Sequence, residues 1–191
     1  MSESAQQQPR VTIHPVVGAH VPVGESRKSV LGGPLAGVQL GLPLPRVGAL
    51  QTAFVLTGFA ARTRVAPVAD GVDAIAQGVV TLYDYDAGVE LAPSKSPSLH
   101  SSLAAWHPFV GIGGGGRRLS GRERGDAGRS GGAFYLTLGS EWRRVPLQRT
   151  AVRGEFRAYR SNALPPASSS DMSRPWRTDL VVALALAFHF R

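Results

Sequence analysis

The sequence predicts an all-β fold: a closed, antiparallel, up-and-down transmembrane β-barrel of eight strands. Three observations predict it. The first is the ending, Leu180–Phe190, where Leu180, Val182, Leu184, Leu186, Phe188 and Phe190 alternate with Val181, Ala183, Ala185, Ala187 and His189. Large apolar residues take one face and mostly small ones the other, over the roughly 9–11 residues that a tilted membrane strand needs. The second is that eight such alternating segments are separated by connections that are alternately long and short, the asymmetry of a membrane barrel's two rims. The third is what is missing. No run of 18 apolar residues offers a transmembrane helix, and 23 Gly with 14 Pro interrupt almost every helical pattern.

Strand one is expected over Val11–Val21, with Val11, Ile13, Val17, Ala19 and Val21 on one face and Thr12, His14, Gly18 and His20 on the other. Strand two, Pro34–Leu44, places Ala36, Val38, Leu40, Leu42 and Leu44 outward. A turn at Pro45–Gly48 leads to strand three, Ala49–Ala60, in which Leu50, Phe54 and Leu56 oppose Gln51, Ala53 and Thr57. After a polar loop (Arg62–Asp73), strand four spans Gly78–Leu91, with Val79, Tyr83, Tyr85, Val89 and Leu91 against Asp84, Asp86, Gly88 and Glu90. Pro93–Ser102 precedes strand five, Ala104–Gly114. An Arg/Gly-rich loop, Gly116–Ser130, follows. Strand six, Gly132–Arg143, sets Phe134, Leu136, Leu138 and Trp142 against Tyr135, Thr137, Gly139 and Glu141. Strand seven, Arg149–Arg160, sets Val152, Phe156 and Ala158 against Arg153, Glu155, Arg157 and Tyr159. Residues 1–10 are expected to be a disordered segment and 11–191 one barrel domain.

Hydrophobic content of 43% and a mean hydropathy of −0.03 look like a soluble protein, but alternating strands give the same values. The polar faces discriminate. A soluble lipocalin-like barrel, carrying a small apolar ligand, turns its charged face out; a membrane barrel reverses this. Here the second faces of strands two, five and eight are largely Gly and Ala, which suit a cramped lumen. Those of strands four, six and seven bring both signs of charge. Asp84, Asp86, Glu90, Glu141, Arg153, Glu155 and Arg157 are therefore expected to point inward as a mixed-charge network. The net charge of +8 does not predict nucleic-acid binding, because the Arg residues form no stripe with interleaved aromatics. They cluster in Gly/Ser-rich segments, where lipid A phosphates would suit them. With no Cys, disulfides and thiolate metal sites are excluded.

Three stretches resemble the small eight-stranded outer-membrane barrels of Gram-negative bacteria, the OmpA-like or outer membrane protein β-barrel domain group. They are PFVGIGGGGRRL (Pro108–Leu119), Ala133–Arg160 and DLVVALALAFHF (Asp179–Phe190). The resemblance implies residence in the bacterial outer membrane, contact with outer-membrane lipid and lipopolysaccharide, and biogenesis through the barrel-assembly machinery. It also implies that the terminal aromatics, Phe188 and above all Phe190, form the assembly signal; Arg191 beyond them departs from the pattern. Export requires a leader, and MSESAQQQPR has no charged segment followed by an apolar one. The leader is therefore expected to have been removed, or the start to be assigned too late.

No catalytic centre is predicted. G-x-S-x-G is absent, and a lipid-modifying membrane enzyme, the remaining alternative, would need a Ser/His/acid cluster on one rim that we cannot assemble. His14, His20 and His189 could share the lumen, but polar lumen partners are the simpler expectation than a metal site, and no cofactor is expected. GIGGGG (Gly111–Gly116) lacks the Lys-Ser/Thr and helix of a phosphate loop, so close packing explains it better. Trp106, Trp142 and Trp176, with Tyr83 and Tyr85, fall near strand ends, as girdle aromatics do. The expected role is structural or surface-exposed, because an eight-stranded lumen filled by side chains is no diffusion pore.

Overall fold

The computed structural model describes residues 11–28, 30–65, 79–94, 104–121, 129–144, 150–163 and 176–190. Residues 1–10, 29, 66–78, 95–103, 122–128, 145–149, 164–175 and 191 lie outside the described residues. Eight long strands follow one another: β1 (Thr12–Pro22), β2 (Gly33–Val47), β3 (Leu50–Val65), β4 (Val79–Pro93), β5 (Ala104–Gly121), β6 (Arg129–Arg144), β7 (Thr150–Ser161) and β8 (Arg177–His189). Each pairs antiparallel with its sequence neighbours, and β8 pairs with β1, so the sheet closes and has no edge. Between β1 and β2, a 3-10 turn (Gly24–Lys28) leads to Val30–Leu31, which pair with Arg64 and Val65 of β3.

The register fixes the barrel's shape. From Phe188 of β8, paired residues run Ile13, Leu40, Leu56, Ala87, Gly114, Phe134 and Arg160, and return to β8 at Thr178, ten residues away. With a rise of about 3.3 Å per residue and strands about 4.8 Å apart, that stagger tilts the strands by roughly 40° and gives a radius of roughly 8 Å. Such a barrel is only wide enough for its own side chains. Glycine is needed where they crowd. A Cβ on Gly113 would lie 2.6 Å from the Tyr135 ring, which crosses the lumen from the adjacent strand.

The parity of every strand is that of its hydropathy pattern. Leu184, Leu186, Phe188 and Phe190 are exposed on the outer wall, at 59%, 52%, 36% and 51%, while Ala183, Ala185 and Ala187 are buried. The strand ends differ from expectation. On the long-connection rim β3 continues to Val65, and β5 to Gly121. There the wall no longer has to be apolar, so Arg62, Arg64 and Arg118 point outward and interrupt the pattern without ending the strand. At the other rim, Pro45–Val47 lie in β2 across a register irregularity, and the turn is Gly48–Ala49, with Gly48 at φ +58°. That left-handed conformation favours glycine.

Candidate functional site: a charge-filled lumen under an arginine collar

Three arginines are stacked along the lumen, each fully or almost fully buried. The uppermost, Arg117 of β5, grips Asp84 of β4 with Nε and with Nη2 (3.2 Å to Oδ2). Its Nη1 donates to Asp179 Oδ2 of β8 at 2.6 Å and to Ser161 Oγ of β7 at 3.3 Å. The guanidinium lies 4.8 Å from the Tyr159 ring centroid, and His20 Nε2 stands 3.8 Å from the other Asp179 oxygen. One layer down, Arg157 Nη1 donates to Asp86 Oδ1 at 3.1 Å and to Thr57 Oγ1 at 3.2 Å, while its Nε faces Glu155 Oε1 at 2.9 Å. Tyr159 donates its hydroxyl to the second Asp86 oxygen at 2.6 Å. In the lowest layer Arg153 holds Glu90 with both terminal nitrogens and Glu155 with Nε and Nη2 (3.2 and 3.0 Å).

Each guanidinium also rests on an aromatic face: Arg153 on Phe109 (3.7 Å), Arg157 on Tyr135 and Phe59 (4.8 and 5.1 Å). These contacts are what makes burial of the charge tolerable, since an ion out of water is costly unless paired, hydrogen-bonded and packed. Near the short-connection rim, His189 meets Glu141 at 3.3 Å and His14 Nδ1 meets Gln39 Oε1 at 2.8 Å. The three lumen histidines thus go to three different partners. Among the described residues no group of three ligand-type side chains could hold a metal ion. At the opposite end the lumen is capped by apolar residues, including Val30, Leu82 and Leu119.

All seven lumen residues picked out by sequence are buried, and six of them join in the two lower arginine layers or the Asp84 pair, with Glu141 set apart beside His189. Sequence reasoning placed His20 in the lumen but missed Arg117, Asp179 and the buried Arg177. It assigned Arg117 to a loop, and this is corrected by its place in β5. The signal that could have found it is parity: Phe109, Gly111, Gly113, Gly115 and Arg117 share one face. Glycine carries no hydropathy, so the alternation fades just before the residue that matters.

Charge is sorted by the wall. Asp84, Asp86, Glu90, Glu141, Glu155 and Asp179 are buried with Arg117, Arg153, Arg157 and Arg177. Of the net +8, the rest of the chain therefore carries a surplus of ten positive charges. Among the described residues Glu25 is the only acid outside the lumen, whereas Arg27, Arg46, Arg62, Arg64, Arg118 and Arg160 are exposed. By the register, Arg62, Arg118 and Arg160 stand level with Thr178, roughly 25 Å above Phe188. They form a collar on the long-connection side. Between collar and the opposite rim the outer wall is uncharged among the described residues. Trp106 and Trp142, which pair across β5 and β6, face outward at that opposite rim with Phe188 and Phe190. Trp176 and Phe134, 5.2 Å apart, and Tyr83 lie toward the collar. An apolar band about 25 Å tall between aromatic girdles is what a membrane barrel presents to lipid. The lipocalin-like alternative fails on both faces: the lumen is charged, and among the described residues the outer band between the rims is not.

Fold and wall together define the class: this is the small eight-stranded β-barrel architecture of outer-membrane proteins. Among solved structures, the chain is similar to Neisserial surface protein A (NspA), with 9% identity, a TM-score of 0.53, and 95% of this chain and 97% of that chain covered. It is also similar, at 13% identity and a TM-score of 0.42, to Ail, the attachment invasion locus protein of Yersinia pestis, over 95% of this chain and 96% of that one. By sequence the chain matches no protein-family profile and no curated protein.

Proposed function

We propose that this chain is an integral protein of the bacterial outer membrane that acts at its surface, in a structural or surface-interaction role, without a diffusion path and without catalysis. The observation that carries the reading is the sorting of charge. The lumen is occupied by three buried, paired arginines, so solutes have no route through it, while the outward charge at one rim is basic. A basic collar above an apolar band suits the anionic headgroups of outer-membrane lipid and lipopolysaccharide. It also orients the barrel, with the long connections outside the cell and the Gly48–Ala49 turn in the periplasm. Phe188 and Phe190, exposed at the periplasmic rim, supply the aromatic ending for the barrel-assembly machinery.

The test is topology in cells. With a secretion leader, the protein should fractionate with the outer membrane and migrate faster unboiled than boiled. A protease site inserted within residues 66–78 should be cut in intact cells, and one at Gly48–Ala49 only after permeabilisation. Recovery as a soluble, detergent-free monomer, or cleavage at Gly48–Ala49 in intact cells, would refute the reading.

A further inference from the structure

We infer that the outer wall carries a binding site for one phosphorylated glycolipid of the lipid A type: one acyl chain lies in a groove across β2–β5, and a phosphate sits between Arg62 and Arg118. The inference rests on the outer-membrane reading above and adds a defined, saturable site to it.

The groove is open, about 410 Å³ in volume, and lies within the apolar band. Val38, Leu40, Leu56 and Tyr85 wall it, and Gly58, Ala87 and Gly114 form its floor. Tyr85, 57% exposed, stands up from the wall and stacks on Tyr83 with centroids 6.5 Å apart and planes 6° apart. A barrel wall is convex, so a concavity on it needs small residues side by side. Register supplies them: Leu56 pairs with Ala87 and Ala87 with Gly114, while Gly58 pairs with Tyr85 and Tyr85 with Gly116.

At Gly114 a Cβ would come within 3.1 Å of the Ala133 carbonyl oxygen, so packing accounts for that glycine; it does not account for Gly58, or for Gly116 beside the groove. A Cβ on Gly58 or on Gly116 would meet nothing within 4 Å, whereas one on the lumen-facing Gly113 would strike a ring. Glycine weakens a strand, and where the fold does not require it, it marks a place where something else approaches the backbone. Here that something comes from the lipid side.

Both strands that flank β4 lead from the groove floor to a cation. The outward positions of β3 run Gly58, Ala60, Arg62; those of β5 run Gly114, Gly116, Arg118. In each, arginine stands four residues beyond the floor glycine, roughly 13 Å along the strand. On β4 between them, Arg62 pairs with Thr81 and Arg118 with Tyr83. A tail in the groove thus places its head between two exposed guanidinium groups, with a hydroxyl residue between and no described acid on that wall to compete. Arg64, two residues beyond Arg62, and Arg160, on β7, extend the cationic surface to a second phosphate. That favours a diphosphorylated glycolipid of the outer leaflet over a singly charged phospholipid.

The experiment is native mass spectrometry of the full chain in phosphatidylcholine nanodiscs doped with diphosphoryl lipid A or, separately, with phosphatidylglycerol. One lipid A per barrel should be retained. Arg62→Gln and Arg118→Gln should each lower its occupancy constant about fivefold. Gly58→Leu, whose Cβ meets no protein atom within 4 Å, fills the groove and should lower it as well. Arg46→Gln, at the opposite rim, should leave it unchanged. If Gly58→Leu fails the heat-modifiable migration check for folding, Ala87→Leu fills the same groove. Retention unaffected by the groove variants, or equal retention of phosphatidylglycerol, would overturn the site and leave a diffuse basic collar standing. Absence of any preference for anionic lipid over phosphatidylcholine, together with indifference to both arginine variants, would overturn the collar reading too.

Discussion

Arg157 joins three strands through one side chain. It reaches Asp86 on β4 and Thr57 on β3 from its own place on β7, and it closes on Glu155 two residues away. Removing it leaves Asp86 buried in the lumen without its counter-ion and leaves Glu155 with Arg153 alone. Breaking one side of a buried pair in this way costs about 3–5 kcal/mol, so Arg157→Ala should unfold at clearly lower urea in lipid vesicles. Arg157→Met combined with Asp86→Asn and Glu155→Gln should recover most of the loss, because uncharged groups of similar shape need no counter-ion. Unfolding of Arg157→Ala at the wild-type midpoint would show that the pairing contributes nothing. At this scale the sequence was legible where residues declare a face. Asp84, Asp86 and Glu90 alternate with tyrosines and valines, and Arg153, Glu155 and Arg157 with Val152 and Phe156. It was illegible at Arg117, where five glycines in six residues erase the alternation, and at Asp179, which sits just before the apolar run that defines β8.

Elements were easier to read than their ends. All eight strands were visible because lipid on one side and a crowded lumen on the other impose opposite demands on alternate residues. The demand stops at the membrane surface while hydrogen bonding does not, so β3 and β5 run past the last apolar pair. The element most exposed to failure is the seam of β1 and β8, the two strands furthest apart in sequence. It is held by paired residues from Thr12–His189 to Pro22–Asp179, and beyond it Phe190 N–H donates to the Val11 carbonyl at 2.9 Å. An unmade seam leaves two strand edges in lipid, where unpaired backbone groups cost several kcal/mol each. On the proposed outer-membrane reading, the exposed Phe190 anchors that end at the interface. Phe190→Ala should therefore lower the folded yield in the outer-membrane fraction, with a larger loss for Phe188→Ala/Phe190→Ala. The readout is heat-modifiable migration after fractionation, and wild-type yield from the double variant would remove these aromatics from assembly.

For the whole molecule, closure and charge sorting are one property. A stagger of ten residues around eight strands gives a cylinder so narrow that every inward side chain meets others across it. An acid on β4 can then share an arginine with β8, as Asp84 and Asp179 share Arg117. That compactness is why every charge of the network is buried. From above, Val30, Leu82 and Leu119 cover the Arg117 layer. From below, Glu141 and His189 face each other beneath Arg153. An open pore of this diameter would need the arginine layers removed, and each layer is tied to at least two strands. The wild-type protein in planar lipid bilayers should accordingly give no steady unitary conductance at moderate voltage of either sign. Replacing the three guanidinium groups with their acids neutralised (Arg117→Ala, Arg153→Ala and Arg157→Ala with Asp84→Asn, Asp86→Asn, Glu90→Gln, Glu155→Gln and Asp179→Asn) removes the obstruction without stranding charge. If that variant still refolds, it should conduct. Regular conductance steps from the wild type would mean that the layers part in the membrane, and the surface role proposed for this barrel would give way to a transport one.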